Sequence, residues 1–138
     1  MGRLDMKLQL PIKPFSTNRM YTGKKRRSCW YKGFTATVHK MLKDQGYSPS
    51  YFKVREGRWY SLSLIIGVST KAFDASNGIK SIEDCVASYF KFNDNIISKV
   101  SCRKYIVPRG SEFIMVELKG CKGNVRLKTG FDMNTLKY

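Results

Sequence analysis

The stretch Y-S-L-S-L-I-I-G-V, residues 60–68, constrains the fold more than any other part of the sequence. In its first half Tyr60, Leu62 and Leu64 alternate with serines, and a period of two is typical of a β-strand. Its second half is almost wholly apolar, which is typical of a strand inside a sheet rather than at its edge. The sequence therefore predicts a central strand here, with the other elements arranged around it.

The other predicted elements lie on both sides of this strand. They are a strand over residues 6–10, a helix over 29–43 capped by Ser28 and ended near Gly46, a helix over 76–90 with Ser76 or Asp74 at its N-cap, and strands over 96–107 and 112–119 joined by P-R-G-S-E. This β-α-β-α-β-β order predicts a single α+β domain, in which two helices pack on a mixed or antiparallel sheet of about four strands. We assign residues 1–119 to the domain and residues 120–138 to a basic C-terminal tail.

Charge is the strongest compositional signal. Lys and Arg total 26 and Asp and Glu total 10, which gives a formal net charge of +16. Such an excess predicts a polyanionic partner, above all nucleic acid, although a basic surface can also serve solubility alone. No apolar run is long enough to span a bilayer, and we expect neither a membrane nor a small molecule as partner. The four cysteines form no C-x-x-C pair, which argues against a zinc site and for a cytoplasmic protein.

Polar residues that could carry chemistry gather around the second predicted helix. Asp74, Ser76 and Asn77 lie at its start, Lys80 lies one turn in, and Asp94 follows it. If the helix folds back onto the sheet, the two aspartates can meet and offer hard oxygen ligands to Mg²⁺, with Lys80 beside the substrate phosphate. The alternative is that these are ordinary helix-start and turn residues.

Two short stretches resemble the RusA family of Holliday junction resolvases. The first is D-A-S-N-G-I-K at 74–80, followed by Asp84 and then N-D-N-I-I at 93–97; the second is L-P-I-K-P-F-S-T-N-R-M-Y at 10–21. In element order the similarity covers about residues 6–118. The resemblance implies a homodimeric endonuclease, dependent on Mg²⁺ with Mn²⁺ as an alternative metal, that cuts four-way DNA junctions by paired nicks. It places the protein in the bacterial cytoplasm, or in an infected host cell if it comes from a phage.

The resemblance also implies roles for individual residues. Asp74 and Asp94 match catalytic, metal-binding aspartates, and Lys80 matches the active-site lysine. The supporting positions are Asn77, Asp84 and Asn18. We place Asp94 rather than Asn95 at the catalytic position, because Ile97 then falls where the next strand needs an apolar residue.

One departure concerns the metal. Ser76 stands where the family has a second aspartate, and a hydroxyl is a poorer Mg²⁺ ligand than a carboxylate. Asp84 and Glu83 are the nearest acids that could replace the missing carboxylate. If neither does, the protein binds junctions without cutting them, which is our alternative function. A basic RNA-binding protein of ribosomal type is a third possibility.

A basic loop and two lone side chains complete the predictions. The residues predicted to contact DNA phosphates are Arg19, Lys24, Lys25, Arg26 and Arg27, the last four in a loop over residues 23–27. Trp30, at the start of the first helix, is predicted to anchor the core. His39 is predicted to be exposed or hydrogen-bonded rather than a general base.

Overall fold

A computed structural model of the chain describes residues 5–16, 21–22, 26–51 and 58–121. Its elements are β1 (Asp5–Leu10), β2 (Tyr21–Thr22), β3 (Arg26–Arg27), α1 (Cys29–Asp44), β4 (Tyr60–Val68), α2 (Ile79–Phe90), β5 (Ile97–Ile106) and β6 (Phe113–Gly120). The predicted α+β class is confirmed, because two helices accompany one mixed sheet of four strands. Residues 122–138, most of the predicted tail, lie outside the described residues.

The sheet has the strand order β1-β6-β4-β5. β4 pairs in parallel with β5 and antiparallel with β6, so it lies inside the sheet, as its apolar sequence predicts. α2 is the crossover that a parallel β4–β5 pair requires. The P-R-G-S-E turn does not make a hairpin, because β5 and β6 lie on opposite sides of β4.

The core lies on one face of the sheet. Every second residue of β1, β4 and β6 is buried there: Met6, Leu8, Leu10, Tyr60, Leu62, Leu64, Ile66, Ile114, Val116 and Leu118. The helices supply the opposing side chains, among them Tyr31, Val38 and Leu42 from α1 and Ile82, Val86 and Phe90 from α2. The alternation predicted for residues 6–10 and 60–64 is therefore confirmed. The other face of the sheet carries mostly exposed or half-buried side chains.

The start of α1 confirms one prediction and corrects another. The Ser28 hydroxyl accepts a hydrogen bond from the Tyr31 amide at 3.1 Å, so Ser28 is the N-cap, as predicted. Trp30, predicted to anchor the core, is 61% exposed, and that prediction is wrong. Tyr31 is fully buried instead. It lies seven residues before Val38, which is two helical turns, and it therefore shares the buried stripe that Trp30 misses.

The start of α2 also differs from the prediction. A 3-10 turn, Ala75–Gly78, precedes the helix, which begins at Ile79. Gly78 is therefore the N-cap residue of α2, whereas Asp74, predicted near the cap, is the N-cap residue of the 3-10 turn and makes no side-chain capping bond. The Asn77 amide bonds to the Asp74 carbonyl at 3.0 Å. A tight turn satisfies the backbone without a cap.

The two edge strands of the sheet, β1 and β5, differ in whether side chains bond to their open backbone groups. Along β1 the Tyr47 hydroxyl donates to the Lys7 carbonyl at 2.7 Å, and the Gln45 amide donates to the Gln9 carbonyl at 2.7 Å. These side chains cover backbone groups that an edge strand leaves open. β5, the other edge, pairs with β4 alone among the described strands.

None of the described helices combines the length and apolar character needed to cross a lipid bilayer.

Candidate functional site

The first turns of α2 gather three carboxylates around one ammonium group. The Nζ atom of Lys80 lies 2.8 Å from Asp94 Oδ2, 3.0 Å from Asp84 Oδ1 and 3.6 Å from Glu83 Oε1. Glu83 and Asp84 reach Lys80 because residues three and four positions apart share a helix face. Asp94 comes from outside the helix, so only the fold brings it there.

Asp94 is positioned by the turn between α2 and β5. Lys91 ends α2 in the left-handed conformation, with φ of 58°, and reverses the chain direction. The Asn93 side chain then accepts a hydrogen bond from the Asn95 amide at 3.0 Å and caps a 3-10 turn, Asp94–Ile96. Ile96 and Ile97 pack against the core and anchor this turn. The expectation that Ile97 begins the next strand is confirmed.

We call Glu83, Asp84 and Asp94 the acidic cluster. One carboxylate oxygen from each lies within 4.8 Å of the other two, and all three residues are half-buried. Carboxylate oxygens are the ligands that Mg²⁺ and Ca²⁺ prefer. Ligands on opposite sides of an Mg²⁺ ion lie about 4 Å apart, so a small contraction of the cluster would fit one ion.

The interactions within the cluster shift the pKa values of Asp94 and Glu83 in opposite directions. The hydrogen bond from Lys80, and then that from Glu83, lower the pKa of Asp94. Burial, and then the hydrogen bond to Asp94, raise the pKa of Glu83. The hydrogen bond to Asp94 raises the pKa of Lys80, outweighing burial. Asp94 therefore stays ionised to a lower pH than a free aspartate, and the Lys80 ammonium is its counter-ion.

Some of the predicted site residues belong to this arrangement. Lys80, Asp84 and Asp94 meet, and Glu83, named from the sequence only as a replacement acid, joins them. Asp74 is exposed before the 3-10 turn and is not a member of the acidic cluster.

The 3-10 turn carries the remaining predicted residues of this stretch. Within it Ser76 is exposed and Asn77 is half-buried. The catalytic role of Asp74, the metal role of Asp74 and Ser76, and the supporting role of Asn77 stay predictions from the resemblance.

A lysine that sequence reasoning missed holds the segment before Asp74. Lys104 of β5 donates from Nζ to the Phe73 carbonyl at 3.0 Å and to the Lys71 carbonyl at 3.2 Å. It shares the helix-side face with its β4 partner Ile66. A lysine at a core-facing position of a strand was the signal in the sequence, because such a residue needs a local acceptor.

The predicted DNA-contacting residues are only partly described. Asn18, Arg19, Lys24 and Lys25 lie outside the described residues. Arg26 and Arg27 form β3, which pairs antiparallel with β2 in the register Tyr21↔Arg27. The basic loop predicted over residues 23–27 is therefore too long by these two residues, whose backbone hydrogen bonds belong to a ribbon.

His39 joins the two helices. Its Nε2 atom lies 2.9 Å from the Cys85 carbonyl and 3.1 Å from the Ser88 hydroxyl, which confirms the prediction of a hydrogen-bonded histidine.

No protein-family model matches the sequence, and no curated protein is significantly similar to it. The features of the chain that bear on its function are therefore the acidic cluster, the net positive charge and the RusA-like motifs.

Proposed function

We propose that the protein is a Mg²⁺-dependent endonuclease of RusA type that resolves four-way or otherwise branched DNA by paired phosphodiester cleavage. Mn²⁺ would serve as a second metal. The observation that carries this proposal is the meeting of three carboxylates around Lys80, within 4.8 Å of one another, in a chain of net charge +16.

The opposite charges of the chain and of its acidic cluster are the reason to propose a bound metal ion. A chain this basic attracts polyanions, but the acidic cluster repels a phosphate that comes close to it. A divalent cation between the two removes the repulsion. Such an ion, when bound, activates water and polarises the phosphoryl oxygens. Asp94, Asp84 and Glu83 would hold it, and Asp74 and Ser76 remain additional predicted ligands.

Lys80 has two tasks in this proposal. Its side chain is 47% exposed, and its single positive charge offsets part of the negative charge of the acidic cluster. With a divalent ion held by the carboxylates, the Lys80 ammonium would be free to reach a phosphate and to stabilise negative charge there. A lysine suits this exchange because its ammonium is a compact point charge on a flexible stem.

The remaining parts of the proposal concern partners. Two symmetric cuts require two active sites, so we propose a homodimer. Arg19, Lys24, Lys25, Arg26 and Arg27 would contact the DNA arms, with Asn18 nearby. We place the protein in the cytoplasm of a bacterium, or of a host cell infected by a phage.

A junction-binding protein without nuclease activity is the second candidate. It is favoured by Ser76, which brings no charge to a position where the family has a carboxylate, and by the salt bridges through which Lys80 already offsets part of the negative charge of the acidic cluster. Ser76→Asp separates the two functions. Restored or faster cleavage supports a weakened nuclease site, whereas binding without cleavage in both variants supports the second candidate.

The primary experiment is cleavage of a labelled four-way junction. Wild type, Asp84→Asn and the charge-matched control Asp44→Asn, which changes an exposed residue of α1, are incubated with Mg²⁺ or Mn²⁺ and with a linear duplex of the same sequence. We expect paired nicks in the junction alone, lost in Asp84→Asn and kept in Asp44→Asn. Equal cleavage by both variants would overturn the metal site.

A further inference from the structure

The face of β5 that points away from the helices presents a row of polar side chains. Lys99, Ser101, Arg103 and Tyr105 are all exposed, and Tyr105 is 45% exposed. They share one face because strand residues two apart point the same way. We call these four residues the β5 face.

The neighbouring strand leaves the first half of this row open. Lys99 and Ser101 lie beside Ser61 and Ser63 of β4, whose side chains are short. In the second half the β4 partners are Ile65 and Gly67, and the Phe113 ring covers Gly67. A bulky partner can therefore approach the strand most closely at Lys99 and Ser101.

Arg103 and Tyr105 are ordered by each other. Arg103 Nη1 donates to the Tyr105 hydroxyl at 3.3 Å, and the guanidinium carbon lies 5.8 Å from the ring centroid. This contact fixes a cation beside an exposed aromatic ring, and both groups recur in surfaces that bind nucleic acids.

The charged side chains of β5 are all positive. β5 has the sequence I-S-K-V-S-C-R-K-Y-I, with three cations and no acid. Neither Lys99 nor Arg103 forms a salt bridge within the described part of the chain. On the other half of the same sheet face, Glu117 lies 3.5 Å from Lys7 and 3.1 Å from Lys119 and neutralises much of their charge.

We infer that the β5 face binds the sugar-phosphate backbone of a DNA arm, a contact that rests on the proposed function only for its choice of branched DNA. Charge complementarity selects this partner. A second copy of the chain paired along β5 would bring cations against cations, which is destabilising. A polyanion gains from the same cations by releasing counterions.

The position of the strand fits such a contact. β5 begins three residues after Asp94, and its Lys104 holds the segment that leads to Asp74. The β5 face and the acidic cluster are therefore joined through one rigid strand. An arm held on β5 would lie at a fixed position relative to the cluster.

Equilibrium binding tests this surface without any cleavage. A fluorescent four-way junction is titrated with wild type, with Lys99→Ser/Arg103→Ser and with the control Lys40→Ser/Lys43→Ser, all in EDTA and over a series of salt concentrations. The control removes two exposed cations from α1. Thermal unfolding of each protein checks that the fold is kept.

We expect the β5 variant to bind at least ~10-fold more weakly, with a slope of log affinity against log salt that is shallower by about 2, and the control to change much less. Equal losses in both variants, or an unchanged slope in the β5 variant, would overturn the inference. So would a wild-type dimer that becomes a monomer in the β5 variant, because the face would then join two copies.

The outcomes also separate this inference from the nuclease proposal. Binding that depends on the β5 face, with no cleavage in Mg²⁺ or Mn²⁺, supports the inference and contradicts the nuclease. Cleavage that is lost in Asp84→Asn, with binding unaffected by the β5 variant, supports the nuclease and contradicts the inference. Failure of the wild type to bind any DNA contradicts both.

Discussion

The acidic cluster and the β5 face carry opposite charge, although only four residues separate Asp94 from Lys99 in the chain. The cluster collects three of the ten acidic residues around one lysine. The strand that follows has cations and no acid. In a chain with 26 cations, chance alone would surround acids with lysines and arginines rather than with one another.

The difference teaches that the two regions suit different parts of one task. Cations on an exposed strand bind a phosphate backbone at any sequence, because the attraction is electrostatic. Carboxylates repel the same backbone unless a divalent ion joins them to it. Changes in the acidic cluster should therefore affect cleavage, and changes in the β5 face should affect binding.

The largest expected effect is on cleavage. Asp94→Asn keeps the side-chain shape but removes the carboxylate that lies closest to Lys80 in the acidic cluster, and we expect the single-turnover rate on a four-way junction to fall about 100-fold or more. Junction affinity in EDTA should stay the same or rise slightly, since a negative charge is lost. The opposite pattern, weaker binding with an unchanged cleavage rate, would contradict the division between the two regions.

A stability effect tests the packing of Phe113 against Gly67, beside the β5 face. In Gly67→Ala the new methyl group would overlap the Phe113 ring, and we expect a loss of about 1–3 kcal/mol in the free energy of unfolding. Gly33→Ala is the matched control, because no atom lies within 4 Å of its added methyl group and alanine favours a helix, with an expected gain of about 0.5–1 kcal/mol. Urea denaturation measures both. A stable Gly67→Ala protein would show that the sheet is not closely packed there.

These contacts also show what the sequence could predict. Alternation in residues 6–10 and 60–64 follows from local periodicity, and the structure confirms it. The 3-10 turn before α2 and the separation of β5 from β6 depend on tertiary packing, which periodicity does not record. The same holds for the site, where spacing brings Glu83 and Asp84 to Lys80 but only the fold adds Asp94.

A smaller effect tests whether Lys80 and a divalent ion compete. Lys80→Met removes the resident cation and keeps the aliphatic stem. We expect Mn²⁺ affinity, measured by calorimetry, to rise about fivefold and cleavage to fall. Lys43→Met on α1 should change neither. Weaker Mn²⁺ binding in Lys80→Met would show that Lys80 supports the cluster rather than competing for it.

The smallest effects have opposite signs within the acidic cluster. Asp94 has a lowered pKa, so its interactions stabilise the fold above its ordinary value of 3.8 and are lost as the pH falls through the folded value. Glu83 has a raised pKa, so its ionisation costs stability as the pH rises from 4.5 toward its folded value and above. At neutral pH we expect Asp94→Asn to lower the free energy of unfolding and Glu83→Gln to keep or raise it, each change being less than about 1 kcal/mol after solvent screening.

Measurements of the same variants at low pH provide the control. As the pH falls below the ordinary carboxyl pKa of 3.8 and through the lower folded pKa of Asp94, the difference between wild type and Asp94→Asn should shrink, because the wild-type carboxyl takes up its proton. Thermal unfolding across this range measures the difference. A gap that widens on acidification would contradict the assignment of Asp94 as the ionised partner of Lys80.

The most direct measurement of the central claim is cleavage of a four-way junction by the wild-type protein during a Mg²⁺ titration, with junction binding followed in parallel. We predict that binding persists in EDTA, while paired nicks appear only as Mg²⁺ is added and saturate with it. Full binding with no nicks at any Mg²⁺ or Mn²⁺ concentration would contradict the claim that the acidic cluster is a nuclease site.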